Sequence, residues 1–308
     1  MTVPRQTVHV DSPTERRNPR TADIDQMSTL DILRKINDED RRVPDAVAVA
    51  LPELAMAVDL ATDALRGGNR VHYVGAGTSG RLATLDAAEL APTFNTPSDW
   101  FRVHHAGGVS AVRTAAEGAE DDDMAGAEEM ARDVQAGDFV LGLTASGRTP
   151  YVLGALGAAA ELGATTALVT NNPNTQRGFG IDLVIVVDTG PEAISGSTRM
   201  KAGSAQKLVL TAFSTAVMVK MGRTYSNLMV SMRASNAKLR GRTLRILREA
   251  TGLSMPECSA ALTESHGDLK VALVHLLSGV DTSRARRALA ETSGHVRLAM
   301  GLLDAHAI

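Results

Sequence analysis

Val71-His-Tyr-Val-Gly-Ala-Gly-Thr-Ser-Gly-Arg-Leu82 is the stretch that decides the fold of this chain. Its apolar start, with β-branched and aromatic residues, predicts a buried strand. Gly75, Gly77 and Gly80 then let the backbone turn sharply and approach a ligand closely. Thr78 and Ser79 add hydroxyls, and helical apolar spacing resumes at Leu82. A strand, a Gly/Ser/Thr turn and a helix N-terminus together form an anion cradle, because unpaired N–H groups and the helix dipole favour negative charge. The expected anion is a phosphate. The alternative is a tight strand-to-helix turn that is merely glycine-rich.

Around this stretch lie 308 residues, enough for one large α/β domain and a smaller appendage. Apolar residues make up 44% and charged residues 22%, as in an ordinary globular chain. A net charge of -3 argues against a nucleic-acid partner, which needs a clustered basic surface. No apolar run reaches the ~18 residues that span a bilayer, so no membrane partner is expected. Arg5, Arg16, Arg17 and Arg20 have no apolar core behind them, which speaks against a secretory signal and for a cytoplasmic protein. Cys258 is the single cysteine, so an intrachain disulfide and a cysteine-based metal site are both excluded.

Along the chain, residues 1 to about 25 read as an irregular arm or a disordered tail, with Pro4, Pro13 and Pro19. Ser28 is placed to cap a helix through Leu30, Ile32, Leu33 and Ile36, with Asp31 as a near capping box. A helix after Pro44 carries Val47, Leu51, Leu54, Val58 and Leu65 and stops at Gly67-Gly68. Further strands are expected near 100–104, at Phe139–Thr144, Thr165–Thr170 and Ile181–Val187, with helices near 80–90, 109–118 and 124–134, after Pro150, and from about Thr198 to Met221. This alternation predicts a parallel sheet covered on both faces. From about 227 onward only helices are expected, near 230–250, 255–265, 268–277 and 281–300. The domain boundaries drawn are 1–62 for the arm and first helices, 63–226 for the α/β domain and 227–308 for a helical domain.

A second turn, Thr144-Ala-Ser-Gly-Arg-Thr-Pro150, repeats the logic of the first. In open parallel sheets ligands sit at the carboxyl ends of strands where the winding direction switches, so two such turns can grip one phosphorylated ligand. Neither turn matches a P-loop, and the dinucleotide pattern lacks a well-placed acid about 20 residues on; hydroxyls in the turns favour a sugar phosphate. A third hydroxyl-rich turn, Glu192 to Lys207, reads as a sugar or carboxylate contact or as a capped helix with solvated lysines. The contacts expected are Gly77, Thr78 and Ser79, then Ser146, Gly147, Arg148 and Thr149, then Ser195, Ser197 and Lys201. Carboxylates available for acid–base work are Asp86, Glu89, Glu117 and Glu120, and spacing does not choose among them. His104 and His105 are adjacent, so in an extended segment they point to opposite faces and cannot chelate a metal.

With these residues in view, the chain resembles the N-acetylmuramic acid 6-phosphate etherases. The likeness runs from about residue 14 to 300, through Thr14-Glu-Arg-Arg-Asn18, Asp25-Gln-Met-Ser-Thr29, Ile36-Asn-Asp-Glu-Asp40, Gly75–Arg81, Glu117-Gly-Ala-Glu-Asp121, Ala145–Tyr151, Gly196–Gly203, Gln206-Lys207 and Asn227-Leu-Met-Val230. The fold implied is a three-layer α/β sugar isomerase (SIS) domain with N-terminal helices and a small C-terminal helical domain similar to a ubiquitin-associated fold. The resemblance implies cleavage of the D-lactyl ether of N-acetylmuramic acid 6-phosphate by elimination and hydration, in a homodimer, without a metal or redox cofactor. It places the family's two catalytic glutamates on Glu89, the acid, and Glu120, the base. The chain departs from relatives at Asp86-Ala-Ala-Glu-Leu-Ala-Pro-Thr93, where Ser often precedes the Glu and Cys-Pro-Pro follows it, and at His104-His105, usually apolar. A non-catalytic sugar-phosphate sensor of the glucokinase-regulator type and an aldose–ketose isomerase are the competing readings.

Overall fold

The computed structural model describes residues 12–114, 116–232 and 237–305; the expected arm residues Pro4 and Arg5 lie outside them. Three single 3-10 turns (Pro13–Glu15, Pro19–Thr21, Ile24–Gln26) lead into α1 (Thr29–Asp40), α2 (Val43–Val49) and α3 (Leu51–Arg66). Then follow β1 (Val71–Gly75), α4 (Gly77–Phe94), β2 (Phe101–His105), α5 (Gly108–Arg113), a 3-10 turn at Ala119–Asp121, α6 (Asp123–Asp133) and β3 (Phe139–Thr144). After these come α7 (Pro150–Glu161), β4 (Thr165–Thr170), β5 (Leu183–Val186) and α8 (Lys201–Lys220). The remainder is β6 (Thr224–Tyr225), β7 (Leu228–Met229) and helices α9 (Ala237–Thr251), α10 (Met255–Glu264), α11 (Leu269–Ser278), α12 (Thr282–Glu291) and α13 (Val296–Ala305). Two compact units result: Met1–Ala87 with Asp99–Phe213, and Ala88–Ser98 with Ser214–Ile308.

In the first unit a five-stranded sheet runs in the order β2-β1-β3-β4-β5. Every pairing is parallel, with Gly75 opposite His105 on one side and Leu143 on the other. Side chains alternate across the sheet as the pleat demands. Val74, Val140 and Leu168 face a cluster with Met130 of α6 and Val152 and Leu156 of α7. Tyr73 and Phe139 face Phe213, the two phenyl rings stacking with centroids 5.8 Å apart. Helix α3 packs against β5, β1 and β3. Helices thus cover both faces, and all five residues of β1 are buried, which is why apolar residues do not alternate with polar ones along it and His72 is its one basic residue.

The helices start where their caps dictate. Ser28 Oγ accepts the Asp31 N–H at 3.3 Å. The stretch from Pro44 to Gly67 is two helices rather than one, broken at Ala50, because Pro52 has no N–H to donate to the Ala48 carbonyl and its ring crowds that carbonyl. The arm from Ser12 on is held down. Asn18 Nδ2 donates to Pro191 O, Thr21 Oγ1 to Ala193 O, and Gly196 N to Thr14 O.

Beneath the sheet's edge lies a buried polar chain. His72 Nε2 stands 3.1 Å from Asp138 Oδ2 and His72 Nδ1 stands 2.9 Å from His104 Nε2. His104 Nδ1 is 3.2 Å from Glu129 Oε2, which also accepts from the Tyr151 hydroxyl. Burial, reinforced by the His104 charge, pushes His72 down to about 4. The unfolded chain takes up that proton near pH 6.5. The folded protein therefore binds fewer protons between these values and loses stability as pH falls from about 6.5 toward 4. Urea denaturation at pH 7, 6 and 5 should show this slope, and His72→Phe should flatten it.

The second unit is helical apart from β6 and β7, a short antiparallel pair that the sequence reading does not anticipate. Ser226 takes φ 50° in the two-residue turn between them. The stretch expected as a single helix over 281–300 is divided into α12 and α13 at Ser293-Gly294, both with positive φ. Cys258, Leu247, Leu273 and Ala299 lie in its core, and Arg297 stacks over the Tyr225 ring.

Candidate active site

The strand order reverses between β1 and β3, so the crevice at their carboxyl ends is the expected ligand position. The first and second turns leave those two adjacent ends. Gly77 adopts φ +54° and opens α4. A Cβ on Gly75 would lie 2.7 Å from Gly80 N, and one on Gly80 would strike Gly75 O and the His105 ring. The glycines at 75 and 80 are therefore required by backbone contact. Gly80→Ala should destabilise the fold by about 1–3 kcal/mol, because a strand end and a helix start cannot both give way; thermal unfolding checks it.

In the second turn Thr144 Oγ1 lies 2.7 Å from Thr149 Oγ1 and 3.2 Å from Ser146 Oγ. The Arg148 N–H donates to Ser146 Oγ, and Asn172 Nδ2 holds the Ser146 carbonyl. Gly147 sits at φ +72° against Thr175 and Thr170. Pro150 at the first turn of α7 completes a preorganised hydroxyl cluster at the mouth of β3.

The third turn is built differently. Glu192 is buried, and its two carboxylate oxygens accept the N–H groups of Lys201 and Ala202, each at 2.9 Å. The protein's own carboxylate thus occupies the positive end of α8, and burial raises the pKa of Glu192. Lys201 is fully buried, with its ammonium 2.7 Å from Glu39 Oε2. Arg20 grips the same carboxylate through Nε and Nη2. Ser195 Oγ donates to Glu15 O at 2.8 Å, and Ser197 is half-buried. This turn joins the arm to the sheet domain.

Glu120 lies exposed on the 3-10 turn after α5. It lines a cavity of about 430 Å³ together with Glu117, Gly77, Arg81 and His105. The glycine turn and one of the two expected catalytic carboxylates are thereby brought to a single cavity. Arg81 is anchored there by the carbonyls of Val112 and Ala111. His105 places Nε2 3.3 Å from Gly77 O and Nδ1 2.9 Å from Ala106 O, while His104 serves the buried polar chain, so the two rings do address different neighbours. Thr78 lines a second cavity, with Asp40, Arg199 and Lys207. Glu89 is exposed about three turns beyond Gly77 on α4 and is not part of the Glu120 cavity wall.

A family model described as the glucokinase regulatory protein N-terminal SIS domain matches residues 53–160. An N-acetylmuramic acid 6-phosphate etherase of Thermobifida fusca (strain YX) is 60% identical over 269 residues, 87% of this chain and 88% of that one. The chain belongs to the N-acetylmuramic acid 6-phosphate etherase family. A second etherase, of Yersinia pestis (strain Pestoides F), is 50% identical over 288 residues, covering 93% and 97% of the two chains. A phosphoheptose isomerase from Francisella tularensis shares the fold, at TM-score 0.52 and 20% identity over 63% of this chain and 100% of its own.

For this etherase-family chain, sequence reasoning missed Arg81 and His105 in the wall of the Glu120 cavity. It also missed Glu39 as the partner of Lys201. The Gly75–Arg81 and Ile36–Asp40 motifs and the His104-His105 departure contain these residues, but their contacts with Val112, Gly77 and Lys201 come from distant parts of the chain.

Proposed function

We propose that the protein cleaves the D-lactyl ether of N-acetylmuramic acid 6-phosphate with water, giving N-acetylglucosamine 6-phosphate and D-lactate. The observation that carries this reading is the identity, over most of the chain, to relatives bearing the etherase name. The phosphate rests on Gly77, Thr78 and Ser79 at the positive end of α4, with Ser146, Gly147, Arg148 and Thr149 on its other side. An ether oxygen is a poor leaving group, so the sugar first opens to its aldehyde, which acidifies the C2–H. Glu120 takes that proton. The C3–O bond then breaks as Glu89 protonates the departing lactyl oxygen. Water adds its hydroxyl to C3 and a proton to C2 of the unsaturated aldehyde, restoring the sugar.

In this reading Ser195, Ser197 and Lys201 belong to the brace around the third turn, and their effect on substrate is indirect. The buried pair of Lys201 with Glu39 supports that assignment. The reading also includes a homodimer in the cytoplasm. Leu30 and Leu33 on α1 are 56% and 59% exposed and Val49 on α2 is 78% exposed, apolar side chains that a second copy would cover. None of the described helices is long and apolar enough to cross a membrane. The test is release of D-lactate from the 6-phosphate substrate by purified protein, followed enzymatically. Absence of release from a folded dimer would overturn the proposal.

A further inference from the structure

The second unit holds a cavity of about 860 Å³ to which ether cleavage assigns no task. Among the described residues, four cationic side chains, Arg223, Arg240, Lys270 and Arg286, line it against one carboxylate, Asp268. That carboxylate is already engaged: Oδ1 caps α11 through the Val271 N–H, and Oδ2 stands 3.4 Å from Arg286. Lys270 donates to the carbonyls of Gly222 and Gly294 at 2.7 and 2.9 Å, which fix the ammonium without neutralising it. Leu269 and Lys270 are also the first residues of α11, so the positive end of that helix adds to the same field. Ser265, fully buried in the cavity wall, has a hydroxyl with no hydrogen-bond partner among the described residues.

Such a concentration of positive charge around a concave space calls for a compact anion of more than one charge. We infer that this cavity is a second phosphate-recognising site, one that takes the phosphate monoester of a small phosphorylated molecule between Arg223, Arg240 and Lys270. The guanidinium forks suit phosphate oxygens, and the volume admits a sugar carrying one. The assignment stands independently of the ether-cleavage reading.

The site is also coupled to protons. Burial, then the Arg223 charge, pushes Lys270 down to about 8, with Asp268 opposing; Arg240, Arg286 and His266 face the same space. A bound dianion favours the ammonium form, so affinity falls as pH rises through that value.

Calorimetric titration of the full chain with N-acetylglucosamine 6-phosphate tests the site. Arg240 is exposed, so Arg240→Glu should leave the fold and D-lactate release unchanged. It should remove one bound equivalent per chain relative to the unmodified protein. Lys270→Met should remove the same equivalent, and the lost equivalent should be the one that weakens between pH 7 and 9. Excess inorganic phosphate in the cell separates the sources: displacement of that equivalent marks a site for free phosphate, retention one for a phosphorylated sugar, and both keep the site. The same stoichiometry in the unmodified protein and in a folded Arg240→Glu would overturn the inference. Missing lactate release with the equivalent still bound would overturn only the etherase reading.

Discussion

On the mechanism proposed above, Glu120→Gln should lower the rate of D-lactate release by about 100- to 10,000-fold, the span over which a positioned general base contributes. The amide keeps the shape and cannot take the C2 proton. Because Glu120 is exposed on a surface turn, its replacement leaves the melting temperature unmoved, and the loss is confined to kcat. On the same proposal Glu89→Gln should give a loss of the same order for a different reason, since the lactyl oxygen would then depart without its proton. The two variants separate in a proton-exchange experiment in deuterated water. Glu89→Gln still exchanges the C2 proton, since Glu120 remains, whereas Glu120→Gln does not. Exchange that survives in Glu120→Gln would show that another group is the base.

The largest effect on stability comes from Glu39. Its carboxylate is buried between Arg20 and Lys201, and the hydrogen bonds from Arg20 hold its pKa at about 2 against the opposing effect of burial. Glu39→Ala strands the fully buried Lys201 ammonium, and removing one partner of a buried pair costs about 3–5 kcal/mol. Lys201→Met is milder, since Glu39 keeps Arg20. Guanidinium or urea denaturation ranks the two. With a folded value below the unfolded one, this carboxylate contributes stability above about pH 4.5, and that contribution is lost as pH falls toward 2. Equal midpoints for Glu39→Ala and the unmodified protein would remove the brace from the account of the fold.

Much of this was legible in the residues. Val71–Leu82 reads as a buried strand, a sharp glycine turn and a helix start, and the structure has all three; Gly75 and Gly80 are required by contact between the strand end and the helix start, where the sequence suggested close approach of a ligand. The second turn was legible on the same grounds. The break at Ala50 escaped because the apolar spacing continues across it, and Pro52 is tolerated in the first turn of a helix. Gly294 divides α12 from α13 where periodicity alone runs on. Lys201 looked like a ligand contact because a lysine beside hydroxyls at a helix start resembles an anion site. Glu192 and Glu39, brought in from elsewhere in the chain, fill that role themselves. Motif reading sees the helix end and cannot see what the fold has already placed on it.

The strap formed by Asn18, Thr21 and Ser195 bears on the order in which the chain assembles. Asn18 and Pro191 are 173 residues apart in sequence, and Arg20, Glu39 and Lys201 close over a similar span. During synthesis Asn18, Thr21 and the Arg20–Glu39 pair must wait for Pro191, Ala193 and Lys201 until α8 leaves the ribosome. Contacts of such long separation slow folding and form late, after the sheet has given them a surface. Substitutions in the strap should therefore speed unfolding while leaving the refolding rate almost unchanged.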